Sequence, residues 1–144
     1  PLRIASSMYD CGKRINFDNY TKYSLDVIIN SKLNGVSHKD LLLAGFACKC
    51  QNLDNLSLSE WVKYKDILTE DDLDAVRKLG VIINLASKLD SSKSGNVHDI
   101  SCDILGDSII MKTIVKRDAA FDIRQAMKLA ADFKKILKKN LQII

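Results

Sequence analysis

A change in hydrophobic spacing near Asp90 constrains the fold of this chain more than any other feature. Before it, apolar residues recur every three or four positions from Leu73 to Leu89. The run Thr69-Glu70-Asp71-Asp72, which contains three carboxylates, precedes them. That spacing predicts an amphipathic helix, and carboxylates in the first turn suit the helix dipole. After Asp90, apolar and polar residues alternate from 100 to 104, which predicts a strand. The sequence therefore predicts a helical part followed by a part that contains a sheet.

Three further helices are predicted ahead of this one, from the same spacing and from turn and capping signals. The clearest signal is Ser37-His38-Lys39-Asp40, a capping box with an acidic fourth residue, before a mostly apolar segment typical of a central helix. The predicted segments are a helix whose apolar spacing runs from Leu2 to Met8 and which Gly12 terminates, a helix from Asn19 to the turn Asn34-Gly35, a helix from Leu41 to Cys50, and a polar loop from Gln51 to Leu58.

The part after residue 96 is predicted to be a small ββαβ unit. The turn Gly106-Asp107 separates the first strand from a second β-rich run, Ile109 to Val115, so the two form a hairpin. Apolar residues at helical spacing from Ile123 to Leu137 predict one helix, and Leu141 to Ile144 predict a last strand. The expected fold class is α+β, with a helical domain at 1–96 and the ββαβ subdomain at 97–144.

Composition excludes several classes of protein. The chain has 144 residues, of which 47% are hydrophobic, and no apolar run approaches the ~20 residues of a membrane helix. Its net charge of +4 is too small for a typical nucleic-acid binder, and residues 1–10 do not have the layout of a signal peptide. We expect a cytoplasmic protein with neither membrane nor nucleic acid as a partner. Because the chain begins with Pro1 inside a helical pattern, we also expect it to be cut from a larger protein.

Three stretches, taken in order, resemble the C-terminal region of the Ppx/GppA family of exopolyphosphatases and guanosine pentaphosphate phosphohydrolases. "YDCGKRI" at 9–15 lies where that family typically has His-Asp-Ile-Gly-Lys. "NYTKYSLDVIINSKLNGVSHKDLLLAGFACKC" at 19–50 matches a His-rich segment, a helix, an NS-x-L-x-G-x-S turn and another helix. "LASKLDSSKSGNVHDI" at 85–100 is similar to the family's "LADALDRSHSG" run before a strand. The resemblance covers nearly the whole chain.

The resemblance implies an HD-like helical core, named for its His-Asp metal ligands, in which those ligands are mostly lost. Tyr9 replaces the His of the pair, Asp10 is kept, and Ser87 replaces a later Asp. Neutral phenols are poor ligands for a hydrolytic metal. We therefore predict a vestigial metal site at Tyr9, Asp10 and Ser87, with no metal, no cofactor and no catalytic residue in this chain. Further expected histidine positions hold Tyr20, Thr21, Tyr23 and Cys50.

Two hypotheses concern the side chains around this turn. In the first, Lys13, Arg14 and Lys22 contact phosphate groups and Asp10 organises them; the alternatives are a solvated helix end with a capping carboxylate and an ordinary surface lysine at Lys22. In the second, three tyrosines fill the former metal site beside Asp10, namely Tyr9, Tyr20 and Tyr23. The basic cluster 134–139 suits a solvated helix end better than a polyphosphate track.

By resemblance, the expected function is that of a non-catalytic C-terminal domain of an exopolyphosphatase-type enzyme. Such a domain helps to bind polyphosphate or guanosine penta- or tetraphosphate, contributes to a homodimer, and works beside an N-terminal phosphatase domain of the same protein. The chain would then be inactive alone, since no glycine-rich phosphate loop is present among its six glycines. The alternatives are an autonomous HD-type metal-dependent phosphohydrolase and a purely structural interaction domain.

Overall fold

The computed structural model describes residues 1–51 and 56–144, and it has the expected α+β fold. The first elements are helical: α1 (Leu2–Met8), a 3₁₀-helix (Cys11–Arg14), α2 (Tyr20–Ile29), α3 (His38–Lys49), α4 (Leu58–Val62) and α5 (Glu70–Lys88). The remaining elements are β1 (Val97–Leu105), β2 (Ser108–Val115), α6 (Ala120–Met127), α7 (Ala130–Leu137) and β3 (Asn140–Ile143). None of the described helices is long and apolar enough to cross a membrane.

The chain divides into two compact units, Pro1–Ile83 and Asn84–Ile144, so that the division falls inside α5. The domains predicted from sequence, 1–96 and 97–144, instead assign the whole of α5 to the helical part. Each unit has its own buried apolar residues.

Side-chain caps set the starts of α3 and α5. The Ser37 hydroxyl accepts the Asp40 amide at 3.1 Å, which confirms Ser37 as the predicted N-cap, and it donates to the Asp40 carboxylate at 2.7 Å. At α5, the Asp72 carboxylate accepts the Thr69 amide at 2.8 Å and also pairs with Lys39 at 2.9 Å. The backbone hydrogen bond from Thr69 and the neighbouring Lys39 ammonium lower the pKa of Asp72. Observed hydrogen bonds therefore support both predicted helix starts.

The first unit packs around α3, which is buried along most of its length. One side of the core centres on Phe46, whose ring meets Trp61 edge-on at 5.1 Å and Tyr64 at 5.8 Å. Aromatic pairs of this geometry add to the free energy gained by burying their surface. The other side joins α1, α2, α3 and α5 through Ala5, Ile28, Leu41, Ala44, Ala47, Cys48 and Ile83.

The second unit is built on a three-stranded sheet of order β1-β2-β3. β1 and β2 form the predicted antiparallel hairpin, and Gly106, with a φ of 56°, occupies its tight turn. β3 runs parallel to β2, with Ile109 opposite Leu141, and α6 and α7 both pack against β3. The buried apolar residues of the sheet and of α6 and α7 are Met111, Ala126, Phe133 and Leu141.

The ends of α1 and α2 differ from the prediction. α1 ends at Met8, before Gly12, because the carbonyl of Tyr9 accepts side chains from Ser24 and Gln51 instead of a helical amide. α2 ends at Ile29, five residues before Asn34. There, side chains add to the backbone hydrogen bonds that close the last turn: the Asn30 side-chain amide also donates to Asp26 O at 2.8 Å, and the Ser31 hydroxyl also donates to Ile28 O at 2.7 Å.

Two further predictions are corrected. Leu58, placed at the end of a loop, begins the short helix α4, while residues 52–55 of that predicted loop lie outside the described residues. The single helix expected over 123–137 is two helices, because the Leu129 amide donates to Ala126 O at 3.0 Å and tightens the backbone between α6 and α7. The subdomain is therefore ββααβ and not ββαβ.

Candidate functional site

The turn at residues 9–14 is fixed to α2 through a single hydroxyl. Ser24 donates to the carbonyl of Tyr9 at 3.0 Å and accepts the amide of Gly12 at 2.9 Å. Ser24 itself is fully buried in the first unit. Because Tyr9 and Gly12 are bonded to the same buried side chain, the backbone of the turn between them has one defined position on α2.

Only glycine fits at position 12, because the turn lies too close to α2 for any side chain. A Cβ atom at Gly12 would lie 2.1 Å from Tyr20 O and 2.4 Å from Ser24 N, both backbone atoms of α2. Its φ is not in the left-handed region, so the constraint is the close approach of two backbones and not conformational freedom. The glycine of "YDCGK" therefore serves packing, where the sequence had indicated a helix end.

The side chain of Gln51 also links the turn to the start of α2. Its side-chain oxygen accepts the Tyr20 hydroxyl at 3.2 Å, and its amide donates to Tyr9 O at 3.3 Å. Gln51 is buried, at 5% exposure. Tyr9 and Tyr20 are thereby joined through one amide side chain.

Lys13 lies among aromatic rings and beside a carboxylate. Its ammonium is 4.9 Å from the ring centre of Tyr20, 5.8 Å from Tyr9 and 5.9 Å from Phe17. It also pairs with the Asp10 carboxylate at 3.4 Å. Both types of contact stabilise the ammonium where it is, since ring faces and carboxylates attract cations. In this position the charge of Lys13 is largely compensated by the protein itself.

Two groups beside this cluster have raised pKa values. Burial raises the pKa of Tyr20, and the neighbouring Tyr9 and Asp10 raise it further. Burial, followed by Cys11 and Asp10, raises the pKa of Cys48 to about 12. The phenol and the thiol therefore remain neutral near pH 7, and Tyr20 acts as a hydrogen-bond donor to Gln51.

The predicted site residues are only partly brought together. Arg14 and Lys22 are exposed and form no ion pair with any described residue. Lys22 lies two positions from both Tyr20 and Ser24 on α2, and therefore on the other side of that helix from Gly12. Tyr23 is half-buried, and its side chain makes no hydrogen bond or ring contact with a described residue. Ser87 is half-buried in the last turn of α5, within the second unit.

Other chemistry-bearing side chains add little to this cluster. Within residues 1–51 and 56–144, no three His, Cys, Asp or Glu side chains form a group that could hold a metal ion. Cys50 is buried, and burial raises its pKa to about 12.

Sequence reasoning did not single out Ser24, Gln51 or Phe17. Ser24 carried one usable signal, because it lies four residues after Tyr20 and hence on the same face of α2. Gln51 lies at the end of a different segment, and no spacing rule connects it to Tyr9. Phe17 is exposed, and its role becomes visible only once Lys13 is placed.

Comparisons of this chain with protein-family models and with curated protein sequences give no match. The cluster around Lys13 and the exposed Arg14 must therefore be interpreted from their own geometry and from the sequence resemblance.

Proposed function

We propose that this chain is the non-catalytic C-terminal domain of a cytoplasmic exopolyphosphatase-type (Ppx/GppA) phosphatase. It binds polyphosphate or guanosine penta- or tetraphosphate beside an N-terminal phosphatase domain of the same protein and contributes to a homodimer. Support comes from the "YDCGKRI" turn and the other matched stretches of sequence, together with the arrangement of cations on that turn.

The observation that carries the proposal is the presentation of Arg14. The turn is held on α2 by Ser24 and Gly12, and Arg14 projects from it without an ion-pair partner among the described residues. A guanidinium suits phosphate because it donates two parallel hydrogen bonds. A rigid backbone reduces the entropy lost when the side chain binds its ligand. Arg14 is therefore the principal anion contact of the site.

Lys13 and Lys22 have subordinate roles. Lys13 contributes less to the contact than Arg14, because its ammonium already faces the Asp10 carboxylate at 3.4 Å. Lys22 lies on the other side of α2 and serves a long chain that extends past the turn. Long polyanions bind rows of cations in this manner, with an affinity that falls as salt rises.

Polyphosphate titrations at several salt concentrations test the assignment. We expect Arg14→Ala with Lys22→Ala to weaken binding several-fold and to lower the salt slope by about one for each phosphate group that the variant no longer neutralises. The matched control is Lys134→Ala with Lys135→Ala on α7, which removes the same charge from two exposed lysines without ion-pair partners among the described residues. Unchanged binding in the first variant, or an equal weakening in the control, would contradict the proposal.

The variant Asp10→Asn separates the anion-binding interpretation from a simple capping role. It removes a negative charge and releases Lys13 from its ion pair, so polyphosphate should bind more tightly. If Asp10 only organised a solvated turn, the same change would leave the affinity unaltered.

A further inference from the structure

β1 is a long exposed strand at the free edge of the sheet. It spans nine residues, and all but Val97 are exposed. Natural sheets usually protect such edges with lysine, proline or bulges, because the unpaired backbone groups readily accept another strand. Here the only irregularity in the β1–β2 register lies between Val97 and Asp99, which leaves residues 100–105 regular.

The exposed residues of β1 include an apolar stripe. Ile100 is 43% exposed and Ile104 is 69% exposed, with the exposed Cys102 between them. Alternation along the strand places all three on one face. Cys102 is opposite Met111, which is buried, so the stripe continues the apolar face of the sheet to its edge.

The backbone groups of this stripe point outward from the sheet. Thr113, the partner of Ile100, donates its amide to Ile144 O at 2.7 Å, and Met111, the partner of Cys102, accepts the Ile144 amide at 2.9 Å. Opposed residues in an antiparallel pair either exchange both hydrogen bonds or exchange none. Ile100 and Cys102 thus turn their N–H and C=O groups to the free edge, where the Asp99 carboxylate accepts the Ile100 amide at 2.8 Å.

We propose that β1 pairs antiparallel with β1 of a second copy of this chain, with the two-fold axis passing through Cys102. Ile100 then lies opposite Ile104 of the second copy on both sides of the axis. The outward N–H and C=O groups of Cys102 and its copy bond to each other. The stripe becomes one continuous apolar ladder across two sheets, and the Asp99 carboxylate is displaced by the new acceptor.

Charge selects this register over its neighbour. An axis through Ser101, the middle residue of the strand, would place Asp99 opposite Asp103 twice, and like charges directly opposed destabilise a strand pair. An axis through Cys102 places Asp103 opposite Ser101 instead. Of these two registers, only the one with its axis through Cys102 makes the strand complementary to itself.

This inference rests on the proposed function in one point: it places the homodimer contact of that function at β1. A second copy as occupant follows from the self-complementary order Ile100, Cys102, Ile104 within one strand. The anion contacts at Arg14 and Lys22 do not depend on it.

Light scattering during gel filtration of the 144-residue chain tests the contact. We expect a dimer for the unmodified chain. We expect Cys102→Lys, which opposes two ammonium groups at the axis, to raise the dimer dissociation constant by at least about tenfold. The matched control is His98→Lys, which adds the same charge near the end of the strand, at the register irregularity and away from the axis, and should leave the dimer intact. Melting curves establish that both variants are folded.

Oxidative cross-linking tests the register. Residues opposed in a hydrogen-bonded pair have Cα atoms about 5.5 Å apart, within the range of a disulfide. Under a mild oxidant the chain should form a covalent dimer through Cys102, and Cys102→Ser should dimerise without cross-linking. Moving the thiol by one residue, in Cys102→Ser with Ser101→Cys, should slow the cross-link.

Three results would overturn the inference: a monomeric unmodified chain, a dimer that survives Cys102→Lys, or equally fast cross-linking from position 101. A monomer that still binds polyphosphate would refute the β1 contact and leave the anion site standing. A dimer that does not bind polyphosphate would refute the anion site and leave the β1 contact standing.

Discussion

The substitution Gly12→Ala should lower the free energy of unfolding by about 3 kcal/mol or more, near the upper end of what overpacking costs. The added methyl group would lie 2.1 Å from Tyr20 O and 2.4 Å from Ser24 N. Both are backbone atoms of α2, so no side-chain rotation can relieve the overlap. The turn must move away from α2, and the Ser24 hydrogen bonds to Tyr9 O and Gly12 N lengthen with it. Chemical denaturation of the purified variant gives the measurement.

Gly35→Ala is the appropriate control for this experiment. Nothing lies within 4 Å of a Cβ atom at Gly35, but its φ of 77° disfavours alanine, so the free energy of unfolding should fall by about 1 kcal/mol. If Gly12→Ala costs no more than Gly35→Ala, the close approach of the turn to α2 is wrong. In that case the rigid presentation of Arg14 loses its basis.

The second large effect concerns the ion pair between Lys49 and Glu60. Lys49 ends α3 with its side chain only 10% exposed, and its ammonium contacts the Glu60 carboxylate, which is 28% exposed. Glu60→Ala leaves an ammonium with little access to water. We expect a decrease of about 2–3 kcal/mol in the free energy of unfolding at pH 7, since removing one partner of a buried pair strands the other.

The reverse substitution should be milder. Lys49→Met retains the apolar stem that packs in the core, and the remaining Glu60 carboxylate has access to water. We therefore expect Lys49→Met to cost less than about 1 kcal/mol. Equal decreases from Lys49→Met and Glu60→Ala would show that burial of the Lys49 ammonium does not determine the energetics of the pair.

Local signals in the sequence were sufficient for most of the fold. The starts of α3 and α5 depend on caps within four residues, Ser37 with Asp40 and Thr69 with Asp72, and both were predicted correctly. The hairpin was equally accessible, because its alternation and its turn at Gly106 are contiguous in the chain. Where a structure is decided by neighbouring residues, the sequence pattern is enough.

Contacts between distant residues explain what was missed. α1 ends early because Ser24 and Gln51 compete for the carbonyl of Tyr9, and neither is adjacent to it in sequence. The apolar spacing from 123 to 137 continues through Leu129, so it does not reveal the break between α6 and α7. At the candidate site, the sequence identified Lys13 as a cation but not that Tyr9, Phe17, Tyr20 and Asp10 surround it.

The central claim is that polyphosphate binds at the turn that bears Arg14, and a titration followed by NMR tests it most directly. Long-chain polyphosphate would be added to the ¹⁵N-labelled 144-residue chain while every assigned backbone amide is monitored. We predict that the largest shifts occur from Asp10 to Asn16 and in the first turn of α2. Shifts concentrated at residues 134–139, or none at the turn when the ligand is saturating, would contradict the account.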